Sequence, residues 1–172
     1  MACARAPAPQ DVVSLMGFTP RDFRDCLGLF ATGVAVATCL DSRGEPIGLT
    51  INSFSSVSLE PPLVLWCLDR ASATYGAFTS ADIFAVNILA EGCHETARHF
   101  SDPCREAPDP GTIRPGRSGA PLLDEAMAHL ECALHAIHDG GDHVILVGRV
   151  LAIETAPKRP LVYFRGTFDR LG

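Results

Sequence analysis

An antiparallel β-barrel, in a mainly-β or α+β chain, is the fold class this sequence predicts. Three observations predict it. The apolar residues gather in six or seven short runs of strand length, with period-two or continuous patterning. Gly- and Pro-bearing turn signals separate neighbouring runs at hairpin-like spacing. Helical periodicity is confined to a few short segments. With 172 residues, 47% of them hydrophobic and 20% charged, the chain suits one packed domain. Residues 1–17 read as a flexible N-terminal tail and 18–172 as that domain.

The elements follow in order. Thr19 is placed to cap a helix, with Pro20 at its first position and Asp22 in its first turn. Phe23, Cys26, Leu27 and Phe30 then recur on one face, and Gly33 is where the helix is expected to end. Residues 34–41 form a strand, followed by a turn over 42–46 built on Gly44 and Pro46. Residues 48–60 read as one further strand, broken by Pro61 and Pro62. A third strand follows over 63–68, a short helix over 73–78, and a fourth strand over 83–89. The segment 94–100 is a helix. Residues 101–121 hold four prolines before Pro121 and form a long loop of the kind that is functional or mobile. Two strands, 128–137 and 143–154, flank the turn "HDGGD", and a short strand over 161–165 closes the chain. Strands apolar on both faces need cover on both sides. Helices supply some of it, and a second copy of the chain is expected to supply the rest.

Composition excludes several function classes. The net charge of −6 disfavours a nucleic-acid binder. No apolar run is long enough to span a membrane, and the start "MACARAPAPQ" lacks the apolar region of a signal peptide. The seven cysteines are odd in number and include no CxxC pair, which points to reduced thiols in a cytoplasmic protein. "HETARH" nearly spells a zinc-protease motif, but His94 and His99 are five apart, about 140° around a helix, so no metal site is expected.

The stretch "GLTINSFSSVSLEPPLVLW" (48–66) carries the most chemistry. Thr50, Asn52, Ser53, Ser55, Ser56 and Ser58 lie between two apolar runs with scarcely a charge. Leu49 and Ile51 share one face, yet by Ser53 and Ser55 the wet side has switched. A bulge is expected there, and bulges re-aim side chains beside sites. On residue types alone the stretch reads equally as a solvated Ser/Thr-rich strand or as a wall of neutral donors for a planar, acceptor-rich ligand.

"LFATGVAVAT", "GLTINSFSSVSLEPPLVLWCL", "FAVNIL" and "GDHVILVGRV" occur in that order. Together they resemble the flavin reductase-like family, whose fold is the homodimeric, antiparallel Greek-key FMN-binding split barrel. Its members are the reductase components of two-component flavin-dependent monooxygenases. The resemblance runs from about Phe18 to Gly166. It implies an NAD(P)H-dependent flavin reductase that moves a hydride from nicotinamide C4 to flavin N5 and hands reduced FMN or FAD to a partner monooxygenase. NADH is the expected donor, with NADPH as the other. By resemblance, Thr32, Gly33 and Val34 are a backbone platform beside the flavin ring. Thr50, Asn52 and Ser53 face the ring edge, and Ser55 and Ser56 lie nearer the ribityl chain and phosphate. Arg70 and Ser72 match a phosphate-holding loop. Asn87 is polar in an apolar strand, so the flavin or a neighbouring backbone must satisfy it. Gly141, Asp142 and His143 match the nicotinamide-linked motif, with His143 as the catalytic candidate. The chain departs from the family at His129, where an aromatic is expected, and over 101–121. Two other functions fit the same residues: a flavin-retaining electron carrier or sensor, and a flavoenzyme acting on its own organic substrate.

Overall fold

The computed structural model describes residues 17–102 and 113–171. The expected tail therefore lies outside the described residues, apart from Gly17, as does the 103–112 part of the loop expected over 101–121. Helix α1 (Pro20–Leu27) begins as expected: the Thr19 hydroxyl accepts the Asp22 amide at 3.2 Å, and the Asp22 carboxylate accepts the Thr19 amide at 2.8 Å. It ends at Gly28, one turn earlier than the position of Gly33 implied. Gly33 instead belongs to a two-residue strand, β1 (Thr32–Gly33).

The strands that follow are β2 (Ala35–Leu40), β3 (Pro46–Ile51), β4 (Ser55–Leu59) and β5 (Pro62–Asp69). After them come α2 (Tyr75–Ser80), β6 (Ile83–Ile88), α3 (His94–Ser101), β7 (Ile113–Pro115) and β8 (Pro121–Leu123). The chain closes with β9 (Ala128–Gly140), β10 (His143–Thr155), β11 (Leu161–Phe164) and β12 (Thr167–Arg170). Seven strands form one antiparallel sheet in the order β3-β2-β6-β9-β10-β5-β4.

That order corrects the single strand expected over 48–60. Its two halves, β3 and β4, lie at opposite edges of the sheet and are joined only by Asn52, Ser53 and Phe54. Seven flat strands would put those edges about 29 Å apart, whereas the link from Ile51 to Ser55 spans at most about 14 Å. The sheet therefore curls until its edges approach, which makes a barrel. The change of wet side marks this crossover. A bulge is also present, at Val57 between Ser56 and Ser58.

The barrel interior is filled by Trp66, Phe78, Phe84, Val86, Cys39 and Leu146, with Trp66 edge-on to both phenylalanines. A second cluster lies on the outer face of β2 and β6. There Val34, Val36 and Leu89 pack against Ala97 and Phe100 of α3, Leu123 of β8 and Leu161 of β11. The outer cover of these two strands thus comes from the same chain. Phe23, Leu27, Leu29 and Phe30 of α1 and its exit stay exposed, and α1 buries no residue. Three elements were missing from the sequence reading besides β1, among them β8, which pairs with β7. Strand β7 lies inside the expected loop, and β12 pairs with β11 as a terminal hairpin. Among the described residues no helix is long and apolar enough to cross a membrane.

Candidate functional site

The crossover that closes the barrel also opens a cleft beside it. This cleft, of about 320 Å³, is lined by Val34, Thr50, Asn52, Ser101, Tyr163 and Phe168. Strand β1 reaches it through register: Thr32 pairs with Tyr163 and Gly33 with Val162. The Thr32 hydroxyl is buried and has no hydrogen-bond partner. A buried hydroxyl left unmet costs about 1–3 kcal/mol, so this one awaits an acceptor or donor. Gly33 is exposed, and nothing lies within 4 Å of where a Cβ would stand. A flat ligand can therefore approach the backbone there. Asn52 is exposed, and among the described residues its carboxamide has no hydrogen-bond partner. An orphan hydroxyl, a bare backbone and a free carboxamide fit the edge of a planar, acceptor-rich ring.

The other polar residues of the crossover are engaged in structure. The Thr50 hydroxyl donates to the Ala97 carbonyl at 2.7 Å and ties β3 to α3. The Ser53 hydroxyl accepts the Cys67 amide at 3.0 Å, which prolongs the β4–β5 pairing. Ser55 and Ser56 are exposed on β4, and the Ser55 hydroxyl turns onto the Ser56 carbonyl at 3.3 Å.

Two expectations change. Asn87 is fully buried, and its partners are all protein. Its amide donates to the Val36 carbonyl and the Thr38 hydroxyl, at 3.0 and 2.9 Å. Its carbonyl oxygen accepts the Leu123 amide at 3.0 Å and meets His129 Nδ1 at 2.9 Å. Because that oxygen can only accept, His129 carries its proton on Nδ1. Asn87 therefore faces β8 rather than the cleft, and the neighbouring backbone, not a flavin, satisfies it. Burial, then the nearby Arg114, pushes the His129 pKa below its usual value.

Arg70 is the second correction. Its amide donates to the Asp142 carbonyl at 3.0 Å and its Nε to the Gly141 carbonyl at 3.0 Å. Its Nη2 meets Asp139 at 2.5 Å. Arg70 thus clamps the β9–β10 hairpin tip instead of presenting a bare guanidinium to a phosphate. Ser72 caps its own turn, with its hydroxyl 2.9 Å from that of Thr74. Across the clamp, His143 Nδ1 lies 2.7 Å from Asp142 Oδ1, and this contact holds the Asp142 carboxyl below the usual range.

The structure thus gathers the expected residues into two groups. Val34, Thr50 and Asn52 line the cleft, and Thr32 and Gly33 pair with the strand that carries its Tyr163, whereas Ser53, Ser55, Ser56 and Asn87 belong to neither group. Arg70, Ser72, Gly141, Asp142 and His143 meet at the hairpin tip, and none of these five lines the cleft. Ser101, Tyr163 and Phe168 are cleft residues that the sequence reading missed. The run "LVYFRGTF" carried the available signal: two alternating stretches around Arg-Gly spell a hairpin with aromatics on one side. A larger cleft of about 780 Å³ adjoins the first and shares Asn52 and Tyr163 with it. Among the described residues, no three His, Cys, Asp or Glu side chains converge to hold a metal ion.

The flavin reductase like domain matches residues 27–172. The chain belongs to that family. It is 41% identical over 159 residues to the flavin-dependent monooxygenase reductase subunit HsaB of Rhodococcus jostii (strain RHA1), covering 91% of this chain and 80% of HsaB. The structure of the NADH:FAD oxidoreductase SgcE6 of Streptomyces globisporus C-1027, in complex with NAD and FAD fragments, superposes with a TM-score of 0.82. It is 39% identical, and the match covers 98% of each chain. A Rhizobium meliloti (strain 1021) relative is 44% identical over 151 residues, and this chain spans about half of that protein's length (49%).

Proposed function

We propose that this chain is an NADH-dependent reductase of FMN or FAD that supplies reduced flavin to a partner monooxygenase, acting as a cytoplasmic homodimer. The observation that carries the reading is the buried, unpartnered Thr32 hydroxyl beside a cleft lined by neutral groups. HsaB, a reductase subunit of a flavin-dependent monooxygenase, and SgcE6, an NADH:FAD oxidoreductase, support it. When bound, the flavin supplies the two-electron acceptor, taking the hydride from nicotinamide C4 at its N5. The residues of this chain do the rest. Thr32 and Asn52 offer neutral hydrogen bonds to the ring edge, which stabilise charge there without fixing a cation. Gly33 lets the ring lie against the backbone. His143, held through Nδ1 by Asp142, would keep its Nε2 available to the donor. Arg70 fixes the hairpin that carries it.

The homodimer has two supports. The exposed Phe23, Leu27, Leu29 and Phe30 form an apolar surface that one copy leaves uncovered. The cleft group and the hairpin-tip group also stand apart in one chain, and a two-fold partner offers each the other. The free thiols of Cys26, Cys39, Cys67, Cys93 and Cys132 support a reducing compartment.

The test is anaerobic stopped-flow mixing of the purified protein with NADH and added FMN or FAD. Reduction of added flavin in many turnovers is the expected result. A yellow protein that holds its flavin and oxidises no NADH would instead make it a carrier. His143→Ala is expected to slow hydride transfer at least tenfold with little change in flavin affinity, and equal rates would remove His143 from the reaction.

A further inference from the structure

The β7–β8 hairpin is tied to the barrel by polar contacts that flavin chemistry does not use. The Leu123 amide donates to Asn87 of β6, and the Pro121 carbonyl accepts the Thr38 hydroxyl at 2.5 Å. The Arg117 and Ser118 amides donate to Glu131 of β9. Arg114 of β7 adds an ion pair: its Nη2 meets Glu154 Oε2 of β10 at 2.6 Å, and its Nε meets Asp124 Oδ1 at 3.0 Å.

His129 lies beside that ion pair. It is 6% exposed, and the antiparallel register sets it directly opposite Glu154 on one side and Asn87 on the other. Opposed residues of this kind have Cβ atoms about 5 Å apart, within reach of each other's side chains. Nδ1 donates to the Asn87 carbonyl oxygen, so in the neutral ring Nε2 carries no proton. The charged groups around the ring are Arg114 from β7, Asp124 after β8, Glu154 from β10 and Lys158 beyond β10. Burial opposes a second proton on the ring, as do Arg114 and Lys158, whereas Glu154 and Asp124 favour it. Lys158 is itself held by the Glu125 and Ala126 carbonyls, and Glu131, two residues along β9, is turned onto Arg117 and Ser118. Glu154 therefore stands between two groups that can be cationic. With His129 neutral it pairs with Arg114; a charged His129 competes for it from across the strand pair.

We propose that His129, Glu154 and Arg114 form a proton-operated latch: a proton on His129 Nε2 draws Glu154 away from Arg114, and the β7–β8 hairpin lifts from the barrel. Leu123 of this hairpin belongs to the same packed cluster as Val34, which lines the smaller cleft, so an open latch loosens that wall and weakens flavin binding. The latch stands without the reductase reading, and its effect on flavin rests on that reading. The direction follows from linkage. With the hairpin lifted the ring is wet and takes its proton near the ordinary value of 6.5, whereas in the docked state burial holds the pKa lower. Docking is therefore at full strength above pH 6.5 and weakens as pH falls from there through the docked value. Glu131 holds the same hairpin but stays ionised above its ordinary value of 4.5, so it does not act in this interval.

The test follows hydrogen exchange of the Leu123 amide by NMR, corrected for the intrinsic rate, at pH 7.5 and 5.5. It compares the wild type with His129→Gln, whose side chain still donates to Asn87 but takes no proton in this range. Protection in the wild type is expected to fall at least tenfold over the interval, and in the variant to change less than twofold. FMN affinity, read by calorimetry, should fall at least threefold more in the wild type than in the variant; the FMN phosphate titrates alike against both. In the wild type alone, the His129 ring signals should titrate with the same midpoint as the lost protection, which decides the matter even where the variant folds poorly. Equal losses of protection in the two proteins would overturn the latch, as would a His129 that titrates while Leu123 stays protected. A difference in exchange with equal FMN responses would overturn the link to the cleft. A wild type that binds no FMN at either pH would sink the reductase reading and leave exchange to decide the latch.

Discussion

Asn52 and Ser53 are neighbours in sequence, yet their side chains have different roles. Ser53 closes onto Cys67 of β5, whereas Asn52 opens into both clefts. Their substitutions should separate accordingly. Ser53→Ala leaves the Cys67 amide unmet and is expected to destabilise the fold by about 1–3 kcal/mol with flavin affinity little changed. Asn52→Ala should raise the flavin dissociation constant about tenfold with no change in melting temperature. Calorimetry and thermal denaturation on both variants check this. The cysteines show the same dependence on surroundings. Burial, with the charges of Asp41 and Glu131 respectively, pushes Cys39 and Cys132 up to about 12. Neither should alkylate with iodoacetamide at pH 8 in the native protein, whereas the exposed Cys26 should; mass spectrometry reads the difference.

Among the elements, the β7–β8 hairpin shows how a buried charge is stabilised. Glu131 of β9 is 1% exposed and receives the Arg117 amide at 3.0 Å, the Ser118 amide at 2.6 Å and the Ser118 hydroxyl at 2.5 Å. Burial alone would raise its pKa. The Ser118 and Arg117 donors outweigh burial and hold it below the usual value. A depressed carboxylate stabilises the fold above its unfolded pKa, and that stability is lost as pH falls through the folded one. The protein should therefore lose stability below about pH 4.5, the ordinary value for this group. Glu131→Gln, which turns a donor toward donors, should cost about 1–3 kcal/mol at pH 7 and flatten that acid dependence. Strand β10 depends on space instead. A Cβ at Gly148 would come within 2.4 Å of the Phe84 ring, so Gly148→Ala should destabilise the fold by the roughly 1–3 kcal/mol typical of overpacking, read as a lower melting temperature.

At the scale of the whole molecule, the unresolved demand is the apolar surface of α1. Phe30 is 76% exposed in a single copy, next to Leu29 and Leu27. The intact protein should sediment at twice its chain mass of 18.3 kDa. Phe30→Asp should sediment as a monomer and lose flavin reduction, because each cleft would lack the partner's hairpin tip. A monomeric variant with full activity would show that one copy suffices.

Much of this was legible in the chain itself, and the reason is locality. The α1 cap, the strands apolar on both faces and the β9–β10 hairpin depend on residues a few positions apart, where period and turn chemistry act. The resemblance also drew the eye to Asn52, which lines the cleft, and to Thr32 and Gly33, which pair with the strand beside it. The assignments that changed depend on long-range partners. Arg70 reaches Gly141 across 71 residues, and Asn87 reaches Val36 across 51. A polar side chain bonds whatever the fold brings within about 3 Å, and sequence spacing does not carry that information. The stretch from 48 to 60 shows the same division: its change of wet side read as a bulge in one strand, and only the curl of seven strands put its halves on opposite edges and left Asn52 at the opening.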